Sequence, residues 1–333
     1  MRVPEKIALA IPAYTNATVL QWVVDSILSQ THENLSLTVF DNGFPDGLHE
    51  VSRALDGYDD ERLTVIKNKK NVGVFENYRN CFQVVCREPY GMVLPADIAL
   101  MPQSLKMLMS QIQQTGSEIA YPSAVLFDNF DEAFKFVFSP GRAPQDHAQA
   151  ICETLKSSEL IEEFSSPLNL GGEYNRFSVF GSLGKGYLFR SVRDLRTSYK
   201  FHGWEQQNSM VFASGANQVT ITNAHLQVAL TGLEKSPGAE RSSTDWPRVE
   251  TILASYETVN LLRNQGNFFS SESDRKKLRI NHLNLLEHYR DMYGFHRFAA
   301  AVIKAALLFR LSDPTALRFI FALLGLFRSR TMK

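Results

Sequence analysis

IALAIPAYTNATVLQWVVDSILSQTHENLSLTVFD, residues 7–41, changes hydrophobic period once and then changes back. Ile7 to Ile11 form a short apolar run that Pro12 closes, the pattern of a buried strand. From Asn16 onward the apolar residues Val19, Leu20, Val23, Val24, Ile27 and Leu28 recur at helical spacing, with Asn16 or Thr15 placed to cap the helix. LSLTVFD then returns to strand character and ends at Asp41, after which NGFPDG supplies turn chemistry. A strand, a helix and a second strand in this order predict the start of a parallel sheet covered by helices.

The alternation continues outward. RLTVIKN is a third strand, Val74 to Arg87 a helix, GMVLP a fourth strand, Gln103 to Thr115 another helix and EIAYP a further strand. The fold class is therefore α/β. SSPLNLGGEYNRFSVFGSLGKG, rich in Gly, Ser and Asn with scattered aromatics, reads as a long loop region of the kind that carries binding residues. KGYLFR is a strand candidate, GWEQQNSMVFASG a short helix, and NQVTITNAHLQVAL two short strands. From about Asp245 the pattern is helical, over Val249–Arg263, Asp274–Tyr293, Phe295–Leu311 and Pro314–Arg328. A cluster of Pro, Gly and Ser at Ser236–Ser243 marks the expected boundary between a domain at 1–240 and a helical region at 241–333.

Composition narrows the class. The chain has 333 residues, 44% apolar and 21% charged, which describes an ordinary globular protein. Lys+Arg and Asp+Glu are both 35, so net charge makes no case for a nucleic-acid partner. Cys81, Cys86 and Cys152 match no zinc or disulfide spacing; they read as small buried hydrophobes in a reducing compartment. KIALAIPAY is too short and too interrupted for a secretory leader, and no uncharged run reaches the ~18 residues of a membrane span. A cytoplasmic protein is expected. Arg290 to Lys333 holds eight bases and two acids interleaved with AALLF and FIFALLGLF. That pattern suits either an anionic inner membrane face or helices packing on the domain or on a second copy.

MVLPADIALMP, residues 92–102, runs an apolar strand into one carboxylate, Asp97, placed just past a carboxyl end where open α/β sheets bind ligands. With residues 5–230 taken together, the chain resembles the family 2 glycosyltransferases of the GT-A fold. IALAIPAYTNATVLQWVVDSILSQTHENLSLTVFDNGFPDG is similar to that family's opening strand, its Ser-Ile-Leu-x-Gln-Thr helix end and its second strand ending in Asp. NKKNVGVFENYRNCF is similar to the Asn-x-Gly…Arg-Asn helix. LPADIALMP falls at the Asp-x-Asp motif, with Pro102 at the proline that follows it. Two departures stand out: Pro95 replaces the first Asp of that motif, with Ile98 where a third acid is frequent, and GWEQQ offers Glu205 where the family has Glu-Asp.

The resemblance implies a Rossmann-like GT-A domain, with a mixed, mostly parallel sheet flanked by helices and a C-terminal helical appendage. It implies inverting transfer of a sugar from a UDP-, dTDP- or GDP-linked donor to a hydroxyl of a glycan or lipid-linked glycan, in bacterial polysaccharide or glycoconjugate synthesis. Donor contacts fall to Pro12, Ala13, Tyr14, Asp41, Asn71, Gly73, Arg79 and Asp97. Asp41 is then an acceptor for base or ribose, or else a turn-starting residue. Tyr14 stacks on a base or packs, and Gly73 lets backbone come close or simply turns. Asp97, with His225, would hold Mg²⁺ or Mn²⁺ on the diphosphate, although a His at a strand end has an ordinary packing role too. Glu205 is the expected general base, at a helix start where a carboxylate is favoured in any case. Tyr174, Phe177, Phe180 and Trp204 would set acceptor choice. The eroded motifs also fit a nucleotide-sugar-binding protein without catalysis. A nucleotidyltransferase ranks last, because PAYTNATVL lacks the Gly and Lys of a phosphate loop.

Overall fold

β1 (Ile7–Ala13) is buried along nearly its whole length because it has a parallel neighbour on each side. It pairs with β2 (Leu35–Asp41) from Ile7↔Leu35 to Ala13↔Asp41, and with β4 (Tyr90–Val93) from Ile7↔Tyr90 to Ala10↔Val93. β3 (Leu63–Lys67) extends the sheet beyond β2. In the computed structural model, residues 4–14, 16–43, 49–138, 152–156, 177–195 and 202–230 are described. α1 (Ala17–Leu28) joins β1 to β2 and buries Val19, Leu20, Trp22, Val23, Val24 and Ile27, the stripe that the sequence period predicts. Its N-cap, Asn16, takes the left-handed conformation at φ 70°, which Asn tolerates better than most residues. The short α2 (Glu50–Leu55) follows β2, and α3 (Val74–Val85) follows β3.

The strand order β3-β2-β1-β4 means that the chain builds outward from β1 and then returns to β1's other side. The carboxyl ends of β1 and β4 therefore flank a topological switch point. Beyond β4 the sheet continues as β8-β6-β9-β5, with β7 also on β9, to nine strands. These are β5 (Ile98–Leu100), β6 (Ile119–Phe127), β7 (Cys152–Lys156), β8 (Leu183–Lys185) and β9 (Gln218–Leu230). The helices of this part are α4 (Ser104–Thr115), α5 (Phe130–Phe138), α6 (Leu188–Asp194) and α7 (His202–Ser214). The mixed sheet and its flanking helices agree with the expected α/β class.

Two of the expected elements take another form, and α2, β5, α5 and β7 stand where the sequence reading placed no element. NQVTITNAHLQVAL is one 13-residue strand, not two. β6 covers one edge of β9, while β7 and β5 take opposite ends of the other edge, so pairing is continuous. The register with β6 is irregular: from Tyr121↔Ile221 through Ser123↔His225 to Ala124↔Gln227, β6 advances three residues and β9 six, so the extra residues lie in β9, opposite Pro122, which has no N–H to give a ladder. KGYLFR, expected as a strand, is mostly turn and helix. A Cβ on Gly186 would meet the Glu88 carbonyl oxygen at 1.9 Å, so only Gly lets the chain turn there. Leu188, Phe189 and Val192 then bury one helical face, and Phe189 packs on Phe212 with ring centroids 4.5 Å apart.

Cys81 and Cys86 are free and buried, and burial pushes the Cys81 thiol pKa well up, as inert packing residues require. The chain divides into two compact units. The first takes Met1–Ser157, Arg176–Arg196 and Val211–Ala239 and holds the whole sheet; of the second, residues 202–210 are described. The expected boundary at 240/241 and the four C-terminal helices lie outside the described residues. Among the described residues no helix is long and apolar enough to cross a membrane.

Candidate functional site

Four segments meet the same edge of the sheet because four neighbouring strands run parallel and end there. They are Pro12–Tyr14 after β1, Asp41–Gly43 after β2, Asn68–Gly73 after β3 and Pro95–Asp97 after β4. From β3 to β4 this rim spans three interstrand spacings, about 14 Å.

Asp41 is fully buried and its carboxylate is engaged inside the protein. Oδ1 accepts from Gly43 N at 2.9 Å, and Oδ2 accepts from Ser52 N at 3.0 Å and Ser52 Oγ at 2.5 Å. His49 Nδ1 lies 3.1 Å from Oδ2, at ion-pair distance but off the line of a hydrogen bond. The physical reason is the uncapped first turn of α2. His49 stands at the N-cap and makes no capping bond, so the N–H of Ser52 needs an acceptor from elsewhere. Asp41 provides it across the loop, and its charge matches the positive end of the helix. The expectation that this carboxylate meets the nucleotide thus encounters a group already holding the loop. Asp41→Ala removes the acceptor of three buried donors. It is expected to destabilise the fold by about 3 kcal/mol, read as a lower urea midpoint with unchanged slope.

The polar lining of the rim comes from four asparagines on the opposite side of β2. Asn77, at a buried position of α3, donates to Ala13 O at 3.5 Å and Phe40 O at 3.2 Å. Asn68 Nδ2 donates to Asn77 Oδ1 at 2.9 Å and to Asn42 Oδ1 at 3.1 Å. Asn42 Oδ1 also accepts from Val72 N at 2.9 Å, and Asn42 Nδ2 donates to Asn71 Oδ1 at 3.1 Å and Gly73 O at 3.4 Å. Asn71 Oδ1 accepts from Gly73 N at 2.8 Å as well. Gly73, at φ 83°, caps α3. Asn42, Asn77, Ser52 and His49 were not singled out from sequence. A signal existed for Asn77, which occupies the apolar stripe of α3 four residues before Cys81.

The remaining expected site residues fall out as follows. Ala13 is buried, and Pro12 and Tyr14 are half-buried on the rim. Arg79 pairs with Glu76 and donates to Leu195 O at 3.4 Å. Asp97 is half-buried past β4, its carbonyl accepting from Leu230 N at 3.1 Å. His225 does not join it. β5 pairs with β9 as Ile98↔Ala229 and Leu100↔Gln227, which sets Asp97 beside Leu230. His225 is five residues back along β9, about 16 Å away, beyond reach of a shared metal ion. Among the described residues no group of three His, Cys, Asp or Glu side chains could hold a metal. Phe177 is also corrected: it is fully buried, edge-on to Tyr121 with centroids 5.5 Å apart, and is core rather than acceptor loop. Phe180 packs on Tyr78 and Phe82. In the second unit Trp204 is buried, while Glu205 is exposed in the first turn of α7. Tyr174 lies outside the described residues.

Residues 8–141 match the family described as Glycosyl transferase family 2. Glycosyltransferase GlyG of Streptococcus pneumoniae serotype 4 is 24% identical over 132 residues, which cover 40% of this chain and 43% of GlyG. The chain thus spans less than half of that relative's length. S. aureus TarS 1-349 in complex with UDP-GlcNAc shares the fold with TM-score 0.56 at 13% identity, covering 97% of this chain and 91% of that one. The same protein in complex with UDP matches with TM-score 0.55 at 12% identity, over 89% and 75% of the two chains.

Proposed function

We propose that this chain, a member of glycosyltransferase family 2 through residues 8–141, transfers a sugar from a uridine diphosphate donor to an acceptor hydroxyl with inversion. The observation that carries the reading is the rim itself: four loops on one sheet edge, about 14 Å from β3 to β4, the length of an extended nucleoside diphosphate. The UDP and UDP-GlcNAc of the TarS structures, which share the fold, support uridine over other bases. The base lies at the β2–β3 end, bracketed by Tyr14, Asn71 and Gly73, and the diphosphate at the β4 end by Asp97. Pro12 and Ala13 form the floor between them. Asp41 shapes this surface by holding the Gly43 and Ser52 backbone, and Arg79 fixes α3 beneath it.

One carboxylate does not make a resident metal centre, so the described donor set fits a cation that arrives with the nucleotide. Asp97 would hold Mg²⁺ or Mn²⁺ together with phosphate oxygens and water. Such an ion, when bound, neutralises the charge that builds on the leaving diphosphate. Glu205 takes the proton of the acceptor hydroxyl, which attacks the anomeric carbon from the face opposite the diphosphate. Trp204 and Tyr174 are assigned to acceptor choice, and the acceptor is a glycan or lipid-linked glycan. The basic, apolar segment from Arg290 onward would bring the protein to an anionic cytoplasmic membrane face, where such an acceptor lies.

The test is a panel of UDP-, dTDP- and GDP-sugars incubated with the protein, with Mg²⁺, with Mn²⁺ and with chelator, following release of nucleoside diphosphate. Metal-dependent release from a UDP-sugar is the expected result. Binding of UDP-sugar with no release under any condition would favour the non-catalytic nucleotide-sugar-binding reading, which the loss of the first motif carboxylate at Pro95 supports. Absence of binding to every donor would remove both.

A further inference from the structure

We propose that the free edge of β3 is a pairing surface for a second copy of this chain, two β3 strands joining antiparallel about a twofold axis at Val65. The observation behind it is a polarity of charge that the fold sets on an open sheet edge, with acids at one end of the strand and lysines at the other.

β3 ends the sheet: β2 lies on one side, and among the described residues no strand pairs on the other. The parallel ladder decides which backbone groups are left over. Leu37 N donates to Arg62 O at 2.8 Å and Asn68 N donates to Asp41 O at 2.9 Å, so the even-numbered residues from 62 to 68 turn towards β2. Leu63, Val65 and Lys67 turn their N–H and C=O groups outward. Leu63 N donates to Asp60 O at 3.0 Å in the preceding turn. Among the described residues, Val65 and Lys67 keep both outward groups open, and Leu63 keeps its carbonyl. An open row of this kind is a template for another strand.

Lysines on an edge ordinarily guard it against pairing, and here the guard is directional. Asp59 and Glu61 are exposed just before the strand, while Lys67, Lys69 and Lys70 are exposed at its end and just beyond. Asp60 and Arg62 pair with each other at 2.7 Å, which leaves the first end acidic. Two copies laid parallel and in register would set like charges side by side. Laid antiparallel, the edge is its own complement.

With Val65 on the axis, Glu61 of one copy stands beside Lys69 of the other. The two Val65 residues exchange both of their N–H···O=C bonds, and each Lys67 N–H reaches the Leu63 carbonyl that the turn leaves free. Moving the axis to Thr64 would make the central pair depend on Leu63 N, which is already used. Moving it to Ile66 would set Lys70 beside Arg62. In the Val65 register, Thr64 and Ile66 form the closer, non-hydrogen-bonded pairs, and Ile66, 39% exposed in the single chain, gains cover. Five strand residues with charged flanks make a small interface, so a concentration-dependent dimer is expected rather than a permanent one.

Sedimentation velocity of the full chain over a concentration series is expected to show a mass rising towards twice that of the monomer. Glu61→Lys and Lys69→Glu each set like charges opposite one another at both ends of the pair, and each is expected to weaken the dimer at least about tenfold. An equimolar mixture of these two variants should recover it, because every 61–69 pair across the mixed dimer is then opposite in sign. Val65→Pro removes an N–H that β2 does not use, so pairing should be lost while thermal melting shows the fold kept. A parent that stays monomeric throughout overturns the proposal. So does a parent dimer that both single reversals leave unchanged, which would place self-association on another surface. Loss in both single variants with no recovery in the mixture overturns the antiparallel register.

Discussion

Glu205→Gln is expected to keep UDP affinity within a few-fold of the parent and to lower sugar transfer by about 10²-fold or more. The substitution preserves volume and hydrogen-bonding reach and removes only basicity. Glu205 stands exposed in the first turn of α7, and its backbone carbonyl accepts from Ser209 Oγ at 2.8 Å. That bond does not involve the carboxylate, and the favourable charge at the helix amino end is worth about 0.5 kcal/mol. A large drop in turnover with unchanged melting therefore reports on proton removal. Turnover within a few-fold of the parent would assign the base elsewhere, with Asp194 and His202 next to be replaced.

Asp97→Asn carries the second large effect. One carboxylate without His225 gives a weak site for a free ion, and the phosphates of the nucleotide supply the missing charge. Metal affinity in the parent should rise when UDP is present, and UDP affinity should rise with metal by the same factor, because the coupling is reciprocal. Asp97→Asn is expected to remove most of that coupling, about tenfold or more, while leaving metal-free UDP binding nearly unchanged. Titration of UDP with and without Mn²⁺ into both proteins measures it. Equal UDP affinities with and without metal in the parent would make Asp97 a loop residue and the reaction metal-independent. Because His225 lies about 16 Å along β9, His225→Ala is expected to change neither titration.

Apart from the short α2 and β5, the order of strands and helices through residue 115 was legible in the chain, because burial imposes a period on neighbouring residues and that period is local. Ile7–Ala13, Leu35–Asp41 and Leu63–Lys67 appear as apolar runs closed by Pro, Asp or Asn, and α1 shows its stripe directly. Asp97 was placed past a strand end by the same logic, and Glu205 in a helical first turn. Tertiary structure alone decided what these groups touch. Asp41 reads as a ligand acceptor until α2 folds back and leaves the Ser52 N–H needing a partner. His225 reads as a neighbour of Asp97 until the antiparallel β5–β9 register sets them five residues apart. Phe177 reads as a loop aromatic until Tyr121 closes on it in the core. The four asparagines are unremarkable polar residues in sequence; their amide directions exist only once the ends of β1 and β2 present carbonyls to Asn77 and the loop before α3 presents N–H groups to Asn42 and Asn71. Periodicity records which side of an element is buried. Pairing register and hydrogen-bond sense depend on residues tens of positions away, and no local pattern encodes them.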